Sequence, residues 1–345
     1  MGTIKLPKNS IDFFKNNQNQ IFESGYLAEG PWNEQLSEKI KSICNVKNAI
    51  CVNSNGSGLV ALLLIYKEYY GRTNVMIQSK TMYGVKTMTK NAGYNLVDII
   101  DCSLETLMPT FEDLKKAVNN YQGKINQLVI MLSDIGGIIN PDIEKISKFC
   151  KEKNIILLED AAHSFGSILN KKFSGTFGNA GVYSYYSTKA IFAGEGGIVV
   201  TNDNNIGNLM KDFIAYDRFK RKMKIGCNVR LPELQALMIY SVVKEYKEII
   251  KNMRTNIDVL TLTATPIPRT LHQALVGIKD ISNIFTPPLF RKPIKTRVNY
   301  FNWDIITLSI KFELLRGGQV YFLHNNIKIN SERKKFHFHI QSLLE

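Results

Sequence analysis

Residues Ile155–Thr201 read IILLEDAAHSFGSILNKKFSGTFGNAGVYSYYSTKAIFAGEGGIVVT. A short apolar strand ends in Glu159-Asp160, a Gly-rich connection follows, and Gly181–Tyr185 predicts a second strand. Lys189 and the turn Gly194-Glu195-Gly196-Gly197 come next, before a third strand. An acid and an amine therefore leave neighbouring strand ends. In α/β sheets ligands bind beyond the carboxyl ends of the strands, so this pair marks a candidate site. Taken singly, Asp160 reads as a cap or surface acid, Lys189 as a solvated lysine, and the glycines as turn formers; their order is what points to chemistry.

Working outward, Ala49–Val52 predicts a strand, and Asn53-Ser54-Asn55-Gly56-Ser57-Gly58 leads into an apolar helix over Leu59–Tyr69. The first N–H groups of a helix lack internal partners and its dipole favours negative charge, so this turn is an expected anion site. Its spacing fits neither a nucleotide P-loop nor a dinucleotide fingerprint, and the plainer reading is a helix cap. A helix is also expected over Ser10–Phe22, with the loop Gly25–Pro31 after it. Val75–Gln78, Leu96–Ile99 and Gln127–Met131 alternate with helical runs at Thr110–Asn119 and Ile143–Lys153, the first with a capping signal in Thr110 and Asp113. Alternation of this kind predicts a parallel or mixed sheet covered on both faces.

The EDAAH strand end, the Ser184-to-Lys189 segment and GEGG together resemble the DegT/StrS group of pyridoxal-phosphate (PLP) sugar aminotransferases. The resemblance covers about Gly25–Arg254. It implies the three-layer α/β/α large domain of the type I PLP-transferase (aspartate aminotransferase-like) fold, with a mostly parallel seven-stranded sheet. It further implies that Lys189 forms the Schiff base, Asp160 pairs with the pyridinium nitrogen, Ser184, Gly56 and Ser57 contact the phosphate, and His163 lies near the ring hydroxyl. Met82 aligns where relatives carry a ring-stacking aromatic, with Tyr83 beside it. At Ser133-Asp134-Ile135-Gly136 relatives show V-H-x-x-G. Gly226-Cys227-Asn228-Val229-Arg230 matches the family's G-x-N-x-R, which assigns Asn228 to the phosphate of a neighbouring subunit and implies a homodimer; the residues alone also fit a plain turn with Pro232 opening a helix. The implied activity moves an amino group from an amino acid, glutamate, to a keto group of a nucleotide-linked sugar. Lysine at position 189, where dehydratases of the group have histidine, favours transamination.

The chemistry needs these residue types. A carboxylate beside the ring nitrogen keeps it protonated, which makes PLP an electron sink. A lysine that attacks a carbonyl and later moves a proton must be partly deprotonated, which desolvation or a cationic neighbour achieves.

Composition excludes several classes. With 44% hydrophobic and 21% charged residues over 345 positions, the chain is long enough for two domains and disorder is not expected. The longest apolar stretch, Leu59–Tyr66, is too short to span a bilayer, and MGTIKLPKNS lacks a secretory core, so no membrane association and a cytoplasmic location are expected. Leu6 stands where a myristoylation motif requires Ser or Thr. The five cysteines, Cys44, Cys51, Cys102, Cys150 and Cys227, form no C-x-x-C pair, so neither disulfides nor a metal site is expected.

The net charge is +14, and from Thr255 onward there are 12 Lys and Arg against 6 Asp and Glu, compared with 32 against 24 before it. In this basic quarter Asn256–Leu271, NIDVLTLTATPIPRTL, and Arg316–Asn325, RGGQVYFLHN, resemble the helicase motor of bacterial transcription-repair coupling factor, ending near Asn330. Family members continue instead into a small domain that closes over substrate. The expected domains are therefore 1–254, the aminotransferase large domain; 255–330, a partial α/β helicase-like segment; and 331–345, a basic tail. No G-x-x-x-x-G-K-[ST] occurs in the chain, so the segment carries no ATP phosphate loop of its own. Lys334-Lys335 and Phe336-His337-Phe338-His339 read as a frayed basic end rather than a metal or nucleic-acid contact. The alternative reading of the whole chain is a nucleic-acid-binding protein that acts through this quarter.

Overall fold

The computed structural model describes residues 5–216, 224–255 and 303–315. Two units divide the chain, residues 1–281 and 282–345. The second is represented among the described residues by one helix, Trp303–Leu315. The remainder of the helicase-like segment and the tail, including Lys334 through His339, lie outside the described residues.

The first unit opens with α1 (Lys8–Ser24), stopped by Gly25 in the left-handed conformation at φ 71°, and α2 (Pro31–Cys44), whose proline occupies the start, where its missing N–H costs nothing. Next come β1 (Asn48–Val52) and α3 (Asn55–Tyr70). The apolar run suggested a start at Leu59; Ser54 moves it to Asn55 by accepting the Ser57 N–H as a cap. Then follow β2 (Asn74–Gln78), α4 (Tyr83–Asn91), β3 (Asn95–Ile100) and α5 (Phe111–Asn120), which begins at the full Thr110/Asp113 capping box. After these come β4 (Leu128–Ser133), α6 (Ile143–Glu152) and β5 (Ile156–Asp160). The Gly-rich connection after Asp160 contains a small hairpin of β6 (Ile168–Leu169) and β7 (Lys172–Phe173). The unit finishes with β8 (Ala180–Ser184), β9 (Gly197–Thr201), α7 (Asn204–Ile214), α8 (Glu233–Val243) and α9 (Tyr246–Thr255).

Seven strands form one sheet in the order β1-β9-β8-β5-β4-β2-β3. β9 runs antiparallel to both β1 and β8, and the other pairs are parallel. This is the mostly parallel sheet of the type I PLP-transferase fold. Strands β4, β5, β8 and β9 are buried along their whole length, because helices cover both faces. Alternation sorts their side chains. Val129, Met131, Leu158, Val182 and Val199 join one apolar cluster with α3, α4 and α7. On the opposite face Ile130, Leu132 and Leu157 pack with α5 and α6, while Tyr183, Ile198 and Val200 pack with α1, α2 and α8. The parallel strands β2, β4, β5 and β8 thus deliver their carboxyl ends to one rim of the sheet.

One close approach fixes how β8 reaches that rim. A Cβ on Gly181 would lie 2.2 Å from the Gly175 carbonyl oxygen, so only glycine lets the loop before β8 fold back on the strand. Gly181→Ala is expected to lower stability by about 1–3 kcal/mol, the usual cost of overpacking, towards the upper end because backbone rather than side chain must move. Urea unfolding of the two proteins side by side measures it; an unchanged midpoint contradicts the close fit.

Candidate active site

A cleft of about 170 Å³ opens at the rim where β4, β5, β8 and the start of α3 meet. Asp160, the last residue of β5, is buried at 6% exposure. Three donors hold its carboxylate: Asn55 Nδ2 at 3.0 Å, the Ala162 N–H at 3.3 Å and Ser133 Oγ at 3.3 Å. Ser133 Oγ lies 2.8 Å from Thr81 Oγ1, which extends the network towards α4. Burial pushes the Asp160 carboxyl up from its ordinary value, and Asn55, the Ala162 N–H, Lys189 and Ser133 work against that rise.

Lys189 lines the same cleft. Desolvation lowers its pKa, and the Asp160 charge opposes the change. The amine is thus drawn towards the neutral form by burial, against the pull of the Asp160 charge. His163 lines the cleft too, with its Nδ1 accepting the Gly136 N–H at 3.3 Å. A nitrogen that accepts carries no proton, so the neutral ring bears its hydrogen on Nε2.

Part of the expected anion turn opens on the cleft. Ser54, Asn55 and Gly56 line the cleft at the start of α3. The first intrahelical bond runs from the Gly58 N–H to Ser54 O, so the N–H groups of Asn55 and Gly56 precede it. Ser57 does not line the cleft; its N–H and Oγ both turn to Ser54 Oγ, at 3.1 and 2.9 Å. Ser184 does, buried at the end of β8. Met82 also reaches the cleft, 56% exposed, and Tyr83 beside it is 77% exposed. Asn228 is exposed and is absent from the lining of its own chain's cleft.

Among the lining residues that carried no separate role in the sequence reading are Asn55, Ser133, Asp134 and Tyr186. Asn55 stands in the anion turn, but its bond to Asp160 spans 105 positions of sequence. Ser133 meets Asp160 because the β4–β5 register pairs them. Asp134 is buried and accepts the Ser164 hydroxyl at 2.8 Å. Burial, with the neighbouring Glu159 and Asp160 carboxylates, pushes its pKa well up. Beside it the buried Glu159 accepts the Gly175 and Gly178 N–H groups and ties down the loop that enters β8. A larger cleft of about 530 Å³ runs along α2 and the edge strand β1, and none of the expected site residues lines it. Among the described residues no cluster of His, Cys, Asp and Glu is arranged to hold a metal, and no helix is long and apolar enough to cross a membrane.

Sheet order, the acid and lysine at the rim and the helix start beside them define a PLP-type α/β architecture. The chain belongs to the DegT/DnrJ/EryC1/StrS aminotransferase family, whose model matches residues 9–285. Among solved structures it is similar to Helicobacter pylori PseC, an aminotransferase involved in the biosynthesis of pseudoaminic acid, at 25% identity and TM-score 0.63, over 71% of this chain and 65% of that one. The fold is shared with DesI in the presence of its TDP-sugar product, at 20% identity and TM-score 0.64, over 74% and 62% of the two chains. It is shared also with the Escherichia coli GDP-4-keto-6-deoxy-D-mannose-3-dehydratase with bound hydrated PLP, at 21% identity and TM-score 0.63, over 74% and 69%. Curated proteins give a different likeness. The transcription-repair-coupling factor of Buchnera aphidicola subsp. Baizongia pistaciae is 44% identical over 139 residues, 39% of this chain and 19% of that protein. That of Bacillus subtilis is 53% identical over 89 residues, 26% and 8%. The chain thus spans a fifth or less of these curated relatives.

The family's cofactor is pyridoxal 5'-phosphate, and the residues present fit it. A buried carboxylate held by three donors suits a protonated ring nitrogen, a half-buried amine suits the aldehyde, and a glycine-containing helix start suits the phosphate.

Glu159 gives the site a measurable pH signature. Its pKa is pushed up to about 7 from 4.5, chiefly by burial, although the Gly178 and Gly175 N–H groups pull it down. A raised acid favours folding below its unfolded pKa, and that contribution is lost as pH rises through the folded value. Stability is therefore expected to fall between about pH 4.5 and pH 7 by an amount of order 3 kcal/mol from this group. Glu159→Gln should flatten that slope in urea midpoints taken across the window; an equally steep slope in the variant assigns the titration elsewhere.

Proposed function

We propose that the chain is a PLP-dependent aminotransferase, or the remnant of one, that moves an amino group from an amino acid to a keto group of a nucleotide-linked sugar. Glutamate is the donor in this reading. One observation carries it: Asp160 and Lys189 share a single cleft with the start of α3, and each shifts the other's titration. PLP, when bound, supplies an electron sink for charge developing beside the amine. Asp160 keeps the ring nitrogen protonated, and its network through Asn55 and Ser133 holds the carboxylate in place. Lys189 would hold the cofactor through Nζ and, as a free amine, would carry a proton at that atom. Gly56 and Ser184 would hold the phosphate, His163 would face the ring oxygen, and Met82 would pack where relatives place an aromatic. Ser57 acts on the phosphate indirectly, by fixing Ser54.

We place Asn228 on the phosphate of a second copy, which makes the working form a homodimer; its exposure and its position outside its own cleft support that assignment. The free cysteines suit a reducing cytoplasm. Residues 1–254, 255–330 and 331–345 are read as aminotransferase large domain, helicase-motor-like fragment and basic tail, giving a chimeric chain. The identity to transcription-repair-coupling factor favours a second reading, in which the basic quarter binds nucleic acid without an ATPase site of its own.

Borohydride reduction of the PLP-treated chain, followed by peptide mapping, should label Lys189. Lys189→Ala should remove the label and the visible band together; a band that survives in the variant refutes the assignment. Nucleic-acid binding, if the second reading holds, should weaken steeply with salt and vanish on deletion after Arg254. Equal binding without that quarter contradicts it.

A further inference from the structure

Lys189 is carried on a loop whose base is tightly closed. The Tyr185 N–H donates to Gly196 O at 2.9 Å, the Ala193 N–H to Tyr185 O at 2.8 Å, and the Ser187 N–H to Gly194 O at 3.0 Å. Residues 186–192 therefore leave and return through one narrow neck. The return limb turns on Gly194 at φ 98°, a left-handed conformation that favours glycine. The carbonyls on either side of that turn, Ala193 O and Glu195 O, both accept from one atom, Gln235 Nε2 on α8, the first at 2.6 Å.

The helix that supplies this amide is itself well fixed. Its first residue, Glu233, is 1% exposed and accepts the Trp32 N–H and the Asn33 side-chain amide at the start of α2. Farther along, Ile239 lies so close to the loop that a Cβ on Gly196 would sit 2.5 Å from its Cδ1. Ile191 and Ala193 share an apolar cluster with Leu237 and Ile239.

We propose that Gln235 is a positioning residue for Lys189: by bridging the two carbonyls around Gly194 it holds the loop so that Lys189 Nζ stays in the cleft with Asp160. The inference rests on Lys189 being the amine of the site described above. An amide NH2 has two protons, and here two carbonyls take them both; methionine offers neither, and a carboxylate sets oxygen against oxygen. With the bridge gone the carbonyls must find water and the neck opens. Lys189 then gains solvent and drifts back towards an ordinary lysine. The titratable groups that line its cleft are Asp160 and His163 from the β5 end, Asp134 from the β4 end and Tyr186 from its own loop, and Glu195 lies at the neck of that loop.

The test needs no cofactor. Trace acetylation of the PLP-free full chain across pH, with mass spectrometry of the Lys189 peptide, reads how readily that amine loses its proton. In the unaltered chain Lys189 should titrate below an ordinary lysine. Gln235→Met and Gln235→Glu should each move its profile to higher pH and cut its labelling near neutral pH severalfold, while the labelling yield of the exposed Lys148 is the internal reference. A purely structural role predicts a lower melting temperature with the Lys189 profile unmoved, and that result overturns the proposal. Should both Gln235 variants fail to fold, Gly194→Ala disturbs the same turn from the other side, and an unmoved Lys189 profile there is equally fatal. Borohydride labelling of the unaltered chain with PLP runs alongside; its failure counts against the cofactor reading and leaves the Lys189 profile to judge Gln235.

Discussion

Everything at the rim of the sheet depends on a carboxylate kept out of water. Asp160 is buried at the end of β5, and a lone carboxyl in that position would neutralise itself. Asn55, Ser133 and the Ala162 N–H supply what water would have supplied, each from a different part of the chain. That requirement constrains the fold. α3 must start where Asn55 can reach across the sheet, and β4 must keep its register so that Ser133 stands opposite Asp160. Lys189, half-buried on its loop, then meets a negative charge whose position is already determined.

What could be read from sequence follows from the range of each interaction. The Thr110/Asp113 capping box was legible because its partners lie three residues apart, and the full box is present. The alternation of strands and helices was legible because both covered faces demand apolar residues, and each expected strand appears with its ends moved by a few residues. Asp160 and Lys189 were legible as a pair through the order of strand end, lysine and GEGG. Ser133, Asp134 and Tyr186 were not, since their places depend on strand register and on how a loop closes. Ser57 shows the converse: it belongs to the anion turn in sequence, yet its hydroxyl is spent on Ser54. The family likeness read over 25–254 also proved conservative, as the family model reaches from 9 to 285.

The acids around Asp160 show how a site accommodates crowded charge. Asp134 adds a third buried acid beside Asp160 and Glu159. Three ionised carboxylates in such a space would repel one another strongly. Raised titration of Asp134 and Glu159 relieves the conflict, and Asp160, with three donors and with Lys189 in the cleft, is the acid best placed to stay charged.

The same logic explains why a loop, rather than a strand, carries the amine. A lysine fixed on β8 would be as buried as Ser184 and would neutralise outright; one on a free loop would stay solvated and protonated. Residues 186–192 lie between these extremes, exposed at the tip yet closed at the neck by backbone bonds and by α8. Half-burial is therefore a balance between a loop that would open and a helix that holds it. The helix in turn is held by Glu233 against the segment that enters α2. The titration of one amine thus depends on contacts that run from α2 through α8 to Gly194, which is why the geometry of the lysine cannot be separated from the packing of the whole rim.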